Sequence, residues 1–171
     1  MIGRNLTMLP RFTLFATPEK ESQTLRDRIE RTIEKEDGSF SIYISNLKQQ
    51  ASLGINERQV HTGASVNKVY IVTALYSLAK KGKINLDEQV TLQEEDIQNY
   101  GTGKLRYEKP GSTYSLQTLA RLALNESDNT AAHILSNKIG VENIQEIIES
   151  WGLKQTDMKN NKTSVYDCYL L

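Results

Sequence analysis

The sequence has little of several residue types on which whole classes of proteins depend. Cys168 is its single cysteine, so no disulfide can form within the chain. His61 and His133 are the only histidines, and a zinc site of ordinary ligand spacing is therefore not expected. Basic and acidic residues number 21 each, so the net charge favours neither nucleic acid nor an anionic membrane surface. No apolar run approaches the ~20 residues that cross a bilayer.

The first 23 residues differ in character from the rest of the chain. Arg4 and Arg11 are basic, but the apolar stretch around them is interrupted by threonine, proline and arginine, which makes a poor signal peptide. We interpret residues 1–23 as a linker or poorly ordered segment. Residues 24–171 are the predicted domain. The hydrophobic content of the whole chain, 38%, is typical of an ordinary folded protein.

The predicted domain contains one strand pair and several helices. Alternating apolar residues predict strands at 39–47 and 51–55, with a short extended piece at 88–92. The helix predicted at 65–81 is apolar nearly all round, which is typical of a buried helix. Ser115 and Ser164 have the positions of N-caps. The remaining helices are predicted at 25–34, 116–124, 130–139, 141–151 and from 165 onward.

The fold class predicted from this order of elements is α+β. A helix and an antiparallel strand pair precede a helical block, and the Gly-rich segment at 100–103 is predicted to be a flexible loop. Two strands alone make a marginal sheet. Either the sheet gains strands from elsewhere, or the sheet in this chain is incomplete.

Chemistry is indicated by a serine and a lysine three residues apart. The pattern Ser-x-x-Lys occurs at 45–48, 65–68 and 77–80, and only the middle copy lies at the first turn of the buried helix. The helix dipole favours negative charge at Ser65, and Lys68 lies one turn on along the same face. A lysine in an apolar helix loses solvation, so its pKa should fall, and a neutral amine could take the serine proton. The alternative interpretation is a surface lysine whose ammonium reaches solvent.

The triplet Ser127-Asp128-Asn129 interrupts the helical pattern downstream. Asp128 or Asn129 could simply cap the next helix. The combination with Ser65 and Lys68, however, resembles the class A β-lactamase and penicillin-binding-protein superfamily, whose signature is S-x-x-K, S-D-N and K-T-G. The segments GASVNKVYIVTALY, GSTYSLQTLARLAL and SDNTAAHILSNKIG look like that family's nucleophile helix and two central helices.

The resemblance implies a β-lactamase/transpeptidase-like fold and a role for each matching residue. Ser65 would be the nucleophile, with its backbone N–H in the oxyanion hole, and Lys68 would be its general base. Ser127 would pass the proton to the leaving nitrogen, and Asn129 would bind the substrate's side-chain amide. Tyr100 would form a wall of the cleft. No cofactor or metal is implied, and the family works outside the cytoplasmic membrane.

The sequence departs from the family pattern at two places. No Lys-Thr-Gly follows Ser127, and His61-Thr62-Gly63 is only a superficial echo of it. We therefore expect the chain to correspond to about the first two-thirds of a family domain. The family's β-lactamases also carry a loop glutamate that activates the deacylating water. Asp157 is the only acid in the corresponding loop, which predicts slow deacylation.

Three functional hypotheses follow. The first is a serine hydrolase that acts on β-lactams, with antibiotic degradation and resistance as the consequence, or on D-Ala-D-Ala-type peptides as a penicillin-binding peptidase. The second is a catalytically impaired fragment or pseudoenzyme, because the late strand with its Lys-Thr-Gly is missing. The third is a fold completed by dimerisation or domain swapping through the sheet edge.

Overall fold

The computed structural model describes residues 18–48 and 50–171. The chain divides into two compact units, Met1–Ile55 and Asn56–Leu171. Most of the predicted N-terminal linker, residues 1–17, lies outside the described residues. Its described part, from Pro18, belongs to a helix. The domain boundary at residue 24 remains a prediction.

The described residues of the first unit form one helix and one antiparallel strand pair. Helix α1 spans Pro18–Ile33, and strands β1 and β2 span Ile42–Asn46 and Ala51–Ile55. The guanidinium of Arg26 on α1 donates a 2.6 Å hydrogen bond to the carbonyl oxygen of Gly54 on β2. The strand pair predicted from the alternating pattern is therefore confirmed.

The second unit is a helical block with short strands at its margins. Its core consists mainly of aliphatic side chains, from four helices and from the segments that connect or follow them. Three-residue 3₁₀ turns lie at 64–66, 94–96 and 105–107. The elements are β3 (His61–Thr62), α2 (Asn67–Lys80), β4 (Gln89–Thr91), β5 (Thr113–Ser115), α3 (Leu116–Asn125), α4 (Asn129–Ile139), α5 (Val141–Ser150), β6 (Lys162–Thr163) and α6 (Val165–Leu170).

Three helices begin at side-chain caps that the sequence predicts. The side chains of Ser115, Asp128 and Ser164 accept hydrogen bonds from the backbone N–H three residues on, at 3.1, 3.0 and 3.1 Å. Each bond satisfies a helix N–H that has no partner within its helix. Asp128 thus ends the polar triplet and begins α4, so the plain capping explanation of that triplet is confirmed for Asp128.

The prediction that the helix at 65–81 is buried nearly all round is wrong in part. Its first residues form a separate 3₁₀ turn, and α2 begins at Asn67. Val66, Val69 and Tyr76 are 41%, 38% and 43% exposed. Helices α3, α4 and α5 all contact α2. They cover only part of its circumference, and apolar periodicity alone does not show which side a neighbouring helix covers.

The described residues form three separate two-stranded sheets, β1–β2, β3–β6 and β4–β5, all antiparallel. Mixed helices with small, incomplete sheets confirm the predicted α+β class. No helix among the described residues is long and apolar enough to cross a membrane.

Candidate active site

Ser65 lies in a strained turn immediately before α2. Ala64 has a φ of +45°, in the left-handed region that a residue with a Cβ seldom adopts. The backbone N–H of Gly63 donates a 2.8 Å hydrogen bond to the carbonyl of Asn161. A Cβ on Gly63 would lie 2.8 Å from Asn161 Oδ1, so this close approach requires glycine. The turn leaves the Ser65 side chain exposed at the mouth of the site.

Lys68 lies within hydrogen-bond distance of three other predicted site residues. Its side chain is buried in the first turn of α2, with 5% of the residue exposed. Lys68 Nζ donates to Ser65 Oγ at 3.0 Å, to Ser127 Oγ at 3.0 Å and to Asn129 Oδ1 at 2.7 Å. Ser127 Oγ is also 3.0 Å from Ser65 Oγ. The surface-lysine interpretation is therefore wrong for Lys68.

Burial lowers the pKa of Lys68 below its ordinary value of 10.5. The negative charge of Asp128 acts in the opposite direction and raises the pKa, but by less than burial lowers it. Burial disfavours the ammonium because the charged form loses its hydration. Lys68 therefore loses its proton at a lower pH in this site than a lysine does in water.

The three neighbours of Lys68 determine what its neutral amine can do. An ammonium has three hydrogens, and three oxygens accept them here. A neutral amine has two hydrogens and one lone pair, and that lone pair needs a donor. The amide oxygen of Asn129 cannot donate, so the lone pair must face the hydroxyl of Ser65 or Ser127. The arrangement can therefore move a proton between the two serines and the lysine.

The loop that carries Ser127 is fixed by the buried carboxylate of Asp128. Ser127 has a left-handed φ of +50°. Asp128 is fully buried, and its two carboxylate oxygens accept from the backbone N–H groups of Ala131 and Leu105, at 3.0 and 2.9 Å. One side chain thus caps α4 and ties the 3₁₀ turn at 105–107 to the loop.

Tyr100 meets the site through its backbone. Its carbonyl accepts a 3.0 Å hydrogen bond from Asn129 Nδ2, while 67% of the residue is exposed. The role of its ring as a wall of the cleft remains a prediction. Thr102 was missed at the sequence level, although its hydroxyl donates to the Ser127 carbonyl at 2.8 Å. The only signal for this contact was the spacing of Gly101 and Gly103, which the sequence analysis interpreted as flexibility.

The loop acid Asp157 is engaged in a local turn. Its carboxylate accepts from the backbone and side-chain nitrogens of Asn160, at 2.9 and 2.7 Å. These hydrogen bonds lower the pKa of the half-buried Asp157 below its ordinary value. Within the described ranges, no group of three or more histidine, cysteine, aspartate or glutamate side chains could hold a metal ion.

Comparison with known proteins finds relatives over nearly the whole chain. The model of the Beta-lactamase enzyme family matches residues 24–168. Beta-lactamase VEB-1 from Pseudomonas aeruginosa is 22% identical over 163 residues, which are 94% of this chain and 54% of that protein. Beta-lactamase BRO-1 from Moraxella catarrhalis is 30% identical over 76 residues, which are 44% of this chain and 24% of that protein. The chain thus spans about half or less of the length of these relatives.

Solved structures share the fold. PBP-A superposes with a TM-score of 0.80 at 29% identity, covering 86% of this chain and 59% of that one. A mutant of PBP-A, solved as an acyl-enzyme complex with penicillin-G, superposes equally well over 60% of its length. An ancestral class A β-lactamase gives a TM-score of 0.75 at 18% identity, over 84% of this chain and 60% of that one. The chain belongs to the Beta-lactamase enzyme family.

Proposed function

We propose that this chain carries the acylating machinery of a serine hydrolase that acts on β-lactams. The observation that carries the proposal is the position of the buried Lys68 Nζ, 3.0 Å from both Ser65 Oγ and Ser127 Oγ. The family match and the penicillin-G acyl-enzyme of PBP-A support β-lactams as the substrate class.

In the proposed reaction the neutral Lys68 amine takes the proton of the Ser65 hydroxyl. Ser65 Oγ attacks the lactam carbonyl, forming the ester bond, and the lactam C–N bond breaks. The proton passes from Lys68 through the hydroxyl of Ser127, which gives its own hydrogen to the leaving nitrogen and receives one from the ammonium. The 3.0 Å spacing of the two hydroxyls and the amine suits this transfer.

Asn129 would bind the substrate beside the reacting carbonyl. Its amide oxygen accepts from Lys68, and one hydrogen of its NH₂ group is donated to the carbonyl of Tyr100. An amide nitrogen carries two hydrogens. The second hydrogen of Asn129 Nδ2 would then be the donor to an amide carbonyl on the substrate.

Release of the acyl group is proposed to be slow. In the loop at 153–161 the carboxylate of Asp157 accepts two hydrogen bonds from Asn160, which hold it in its own turn. A base that activates water must itself lie within hydrogen-bond reach of that water. The proposal is therefore an enzyme that traps penicillin and turns over slowly, in the manner of a penicillin-binding protein.

Intact-mass spectrometry after incubation with penicillin-G tests the proposal. The wild-type chain should gain the mass of one penicillin-G molecule, and the adduct should persist after free penicillin is removed. Ser65→Ala should gain nothing. Ser77→Ala, which alters another Ser-x-x-Lys serine on α2, is the matched control and should react as the wild type does.

Each result separates the hypotheses. An adduct that persists in Ser65→Ala contradicts Ser65 as the nucleophile. A wild-type chain that gains no mass contradicts acylation and favours the catalytically impaired fragment. Rapid loss of the adduct with release of hydrolysed penicillin contradicts slow deacylation.

A further inference from the structure

A segment that the sequence analysis interpreted as a flexible loop lies hydrogen-bonded along the Ser127-Asp128-Asn129 loop. We name this segment, residues 100–105, the strap. Five hydrogen bonds connect the two segments between residues 100–105 and 126–129. They join Asn129 Nδ2 to Tyr100 O (3.0 Å), Thr102 Oγ1 to Ser127 O (2.8 Å), Asn129 N to Thr102 O (3.0 Å), Lys104 Nζ to Glu126 Oε1 (2.9 Å) and Leu105 N to Asp128 Oδ2 (2.9 Å).

Two glycines allow the strap to lie this close. A Cβ on Gly101 would lie 2.2 Å from Asn129 Nδ2, and a Cβ on Gly103 would lie 2.3 Å from Asp128 Cγ. Both glycines have positive φ, +71° and +115°. A side chain at Gly103 would have to displace the loop backbone at Asp128, and a side chain at Gly101 would have to displace the side-chain amide of Asn129. The strap is therefore fitted to this loop rather than merely adjacent to it.

The hydroxyl of Thr102 acts on the residue whose backbone is strained. Ser127 has a φ of +50°, and such a conformation persists only where its surroundings hold it. Thr102 Oγ1 donates to the Ser127 carbonyl, and Thr102 O accepts from the N–H of Asn129. Thr102 therefore holds the two peptide groups that follow Ser127 in the chain. The guanidinium of Arg106 supports the strap by donating to the Gly101 carbonyl at 2.6 Å.

We propose that Thr102 is a positioning residue of the proton relay: its hydroxyl fixes the left-handed backbone of Ser127 so that the Ser127 hydroxyl stays within reach of Lys68 and Ser65. This inference rests on the proposed function of Ser127 as the relay. Thr102 itself touches neither the lysine nor the nucleophile in the hydrogen-bond pattern of the site. Its effect is exerted through Ser127.

Two variants of Thr102 separate the hydroxyl from the shape of the side chain. Thr102→Val keeps the shape and removes the donor, and Thr102→Ser keeps the donor. Loss of one such hydrogen bond should lower the limiting rate of penicillin-G acylation about 5- to 10-fold in Thr102→Val. The penicillin concentration at half the limiting rate should change little. Thr102→Ser should restore the rate, and Thr113→Val, on the exposed face of β5, is the matched control.

Repeating the Thr102→Val change in a chain that already carries Ser127→Ala tests whether Thr102 acts through Ser127. With Ser127→Ala already present, Thr102→Val should produce no further loss of acylation rate, because the group it positions is gone. Losses that multiply fully in the double variant would contradict the positioning role. Such a result would indicate that Thr102 supports the fold in general.

Hydrogen exchange provides a readout that does not depend on acylation. The Asn129 N–H, bonded to Thr102 O, should exchange faster in Thr102→Val and at the wild-type rate in Thr102→Ser. Unchanged exchange in Thr102→Val would overturn the proposal whether or not the chain reacts with penicillin. A wild type that takes no adduct contradicts the proposed function, whereas a reactive wild type with an equally reactive Thr102→Val contradicts this inference alone.

Discussion

Two polar clusters in the unit Asn56–Leu171 each surround a buried charged side chain, and they differ in how completely that charge is hydrogen-bonded. The Lys68 cluster consists of Lys68, Ser65, Ser127 and Asn129. The Asp167 cluster consists of Asp167, Gln155, Thr156, Thr163 and Tyr70. In the first, all three hydrogens of the lysine ammonium find acceptors. In the second, a fully buried carboxylate accepts hydrogen bonds from the described residues on one oxygen only.

The Asp167 carboxylate supports the chain around it. Its Oδ2 accepts from the backbone N–H of Gln155 and the hydroxyl of Thr156, both at 2.8 Å. Its Oδ1 and the Oε1 of Gln155 are buried with no donor among the described residues. The hydroxyl of Thr156 is also hydrogen-bonded to the hydroxyl of Thr163, at 2.9 Å. The Thr163 hydroxyl is in turn hydrogen-bonded to the hydroxyl of Tyr70, at 2.6 Å. The network joins α6, the 155–163 segment and α2.

The difference teaches that burial of a charge does not by itself identify a catalytic site. Burial raises the pKa of Tyr70 to about 12, and its hydrogen bond with Cys168 adds to the effect, so Tyr70 stays a neutral partner at neutral pH. The exposed nucleophile beside the Asp167 cluster is the Cys168 thiol, which contacts the Tyr70 hydroxyl at 3.3 Å, and a neutral phenol is a poor base for removing its proton. The Lys68 cluster places its buried amine directly under the exposed hydroxyl of Ser65. Changes in the first cluster should therefore affect chemistry, and changes in the second should affect stability.

The largest effect is expected from Lys68→Met. Removal of the amine takes away the proposed general base, which should lower the rate of penicillin-G acylation about 10³-fold, within the usual range for such a group. Time-resolved intact-mass spectrometry measures this rate. Lys80→Met alters the lysine of another Ser-x-x-Lys pattern on α2 and should acylate normally. A Lys68→Met chain that acylates at the wild-type rate would remove the distinction between the clusters.

A smaller effect, on stability alone, is expected from Tyr70→Phe. The change removes the hydroxyl that bonds Thr163 Oγ1 and Cys168 Sγ, at 2.6 and 3.3 Å. The free energy of unfolding should fall by about 1–2 kcal/mol, because Thr163 keeps fewer partners while buried. Urea denaturation measures it, with the exposed Tyr107→Phe as control. An acylation rate that falls as far as in Lys68→Met would contradict the assignment of Tyr70 to structure.

Asp167→Asn should stabilise the chain by about 1 kcal/mol near neutral pH. The amide oxygen can keep the hydrogen bonds that Oδ2 accepts, and a neutral amide is cheaper to bury than a carboxylate with one oxygen unpaired. Urea denaturation of Asp167→Asn and of the exposed Asp87→Asn gives the comparison. Marked destabilisation of Asp167→Asn would show that the folded chain requires the negative charge of Asp167.

The smallest effect is the pH dependence of stability from Lys68. Because the folded pKa of Lys68 lies below 10.5, the unfolded chain binds more protons between the two values, and this residue's contribution to stability rises with pH there. The cost of burying the ammonium is therefore largest below the folded pKa. Relative to the wild type, Lys68→Met should be most stable near neutral pH and should lose that advantage as the pH approaches 10.5. Urea melts across this range measure the difference, and a constant difference would contradict the lowered pKa.

Much of the fold and part of the site could be predicted from the sequence. The caps at Ser115 and Asp128 could be predicted because an N-cap depends on the residue type at the start of the helix. The pairing of Ser65 with Lys68 could be predicted because residues three apart lie on one helical face. The N-cap predicted at Ser164 is confirmed. The carboxylate of Asp167 accepts hydrogen bonds from Gln155 and Thr156.

The remaining features depend on which segments meet in space. The exposed side of α2 depends on where α3, α4 and α5 pack, and periodicity does not encode that choice. The strap is a stronger case, because its glycines indicate positive φ in the sequence but not the loop against which they pack. The contact between Thr102 and Ser127 therefore required the structure.

The most direct test of the central claim is the pH dependence of penicillin-G acylation at Ser65, measured by intact mass under limiting penicillin. If neutral Lys68 is the base, the rate should rise with pH and level off at an apparent pKa below 10.5. Thr113→Val should give the same profile as the wild type. A rate independent of pH, or one still rising through 10.5, would contradict a lysine whose burial prepares it to accept the serine proton.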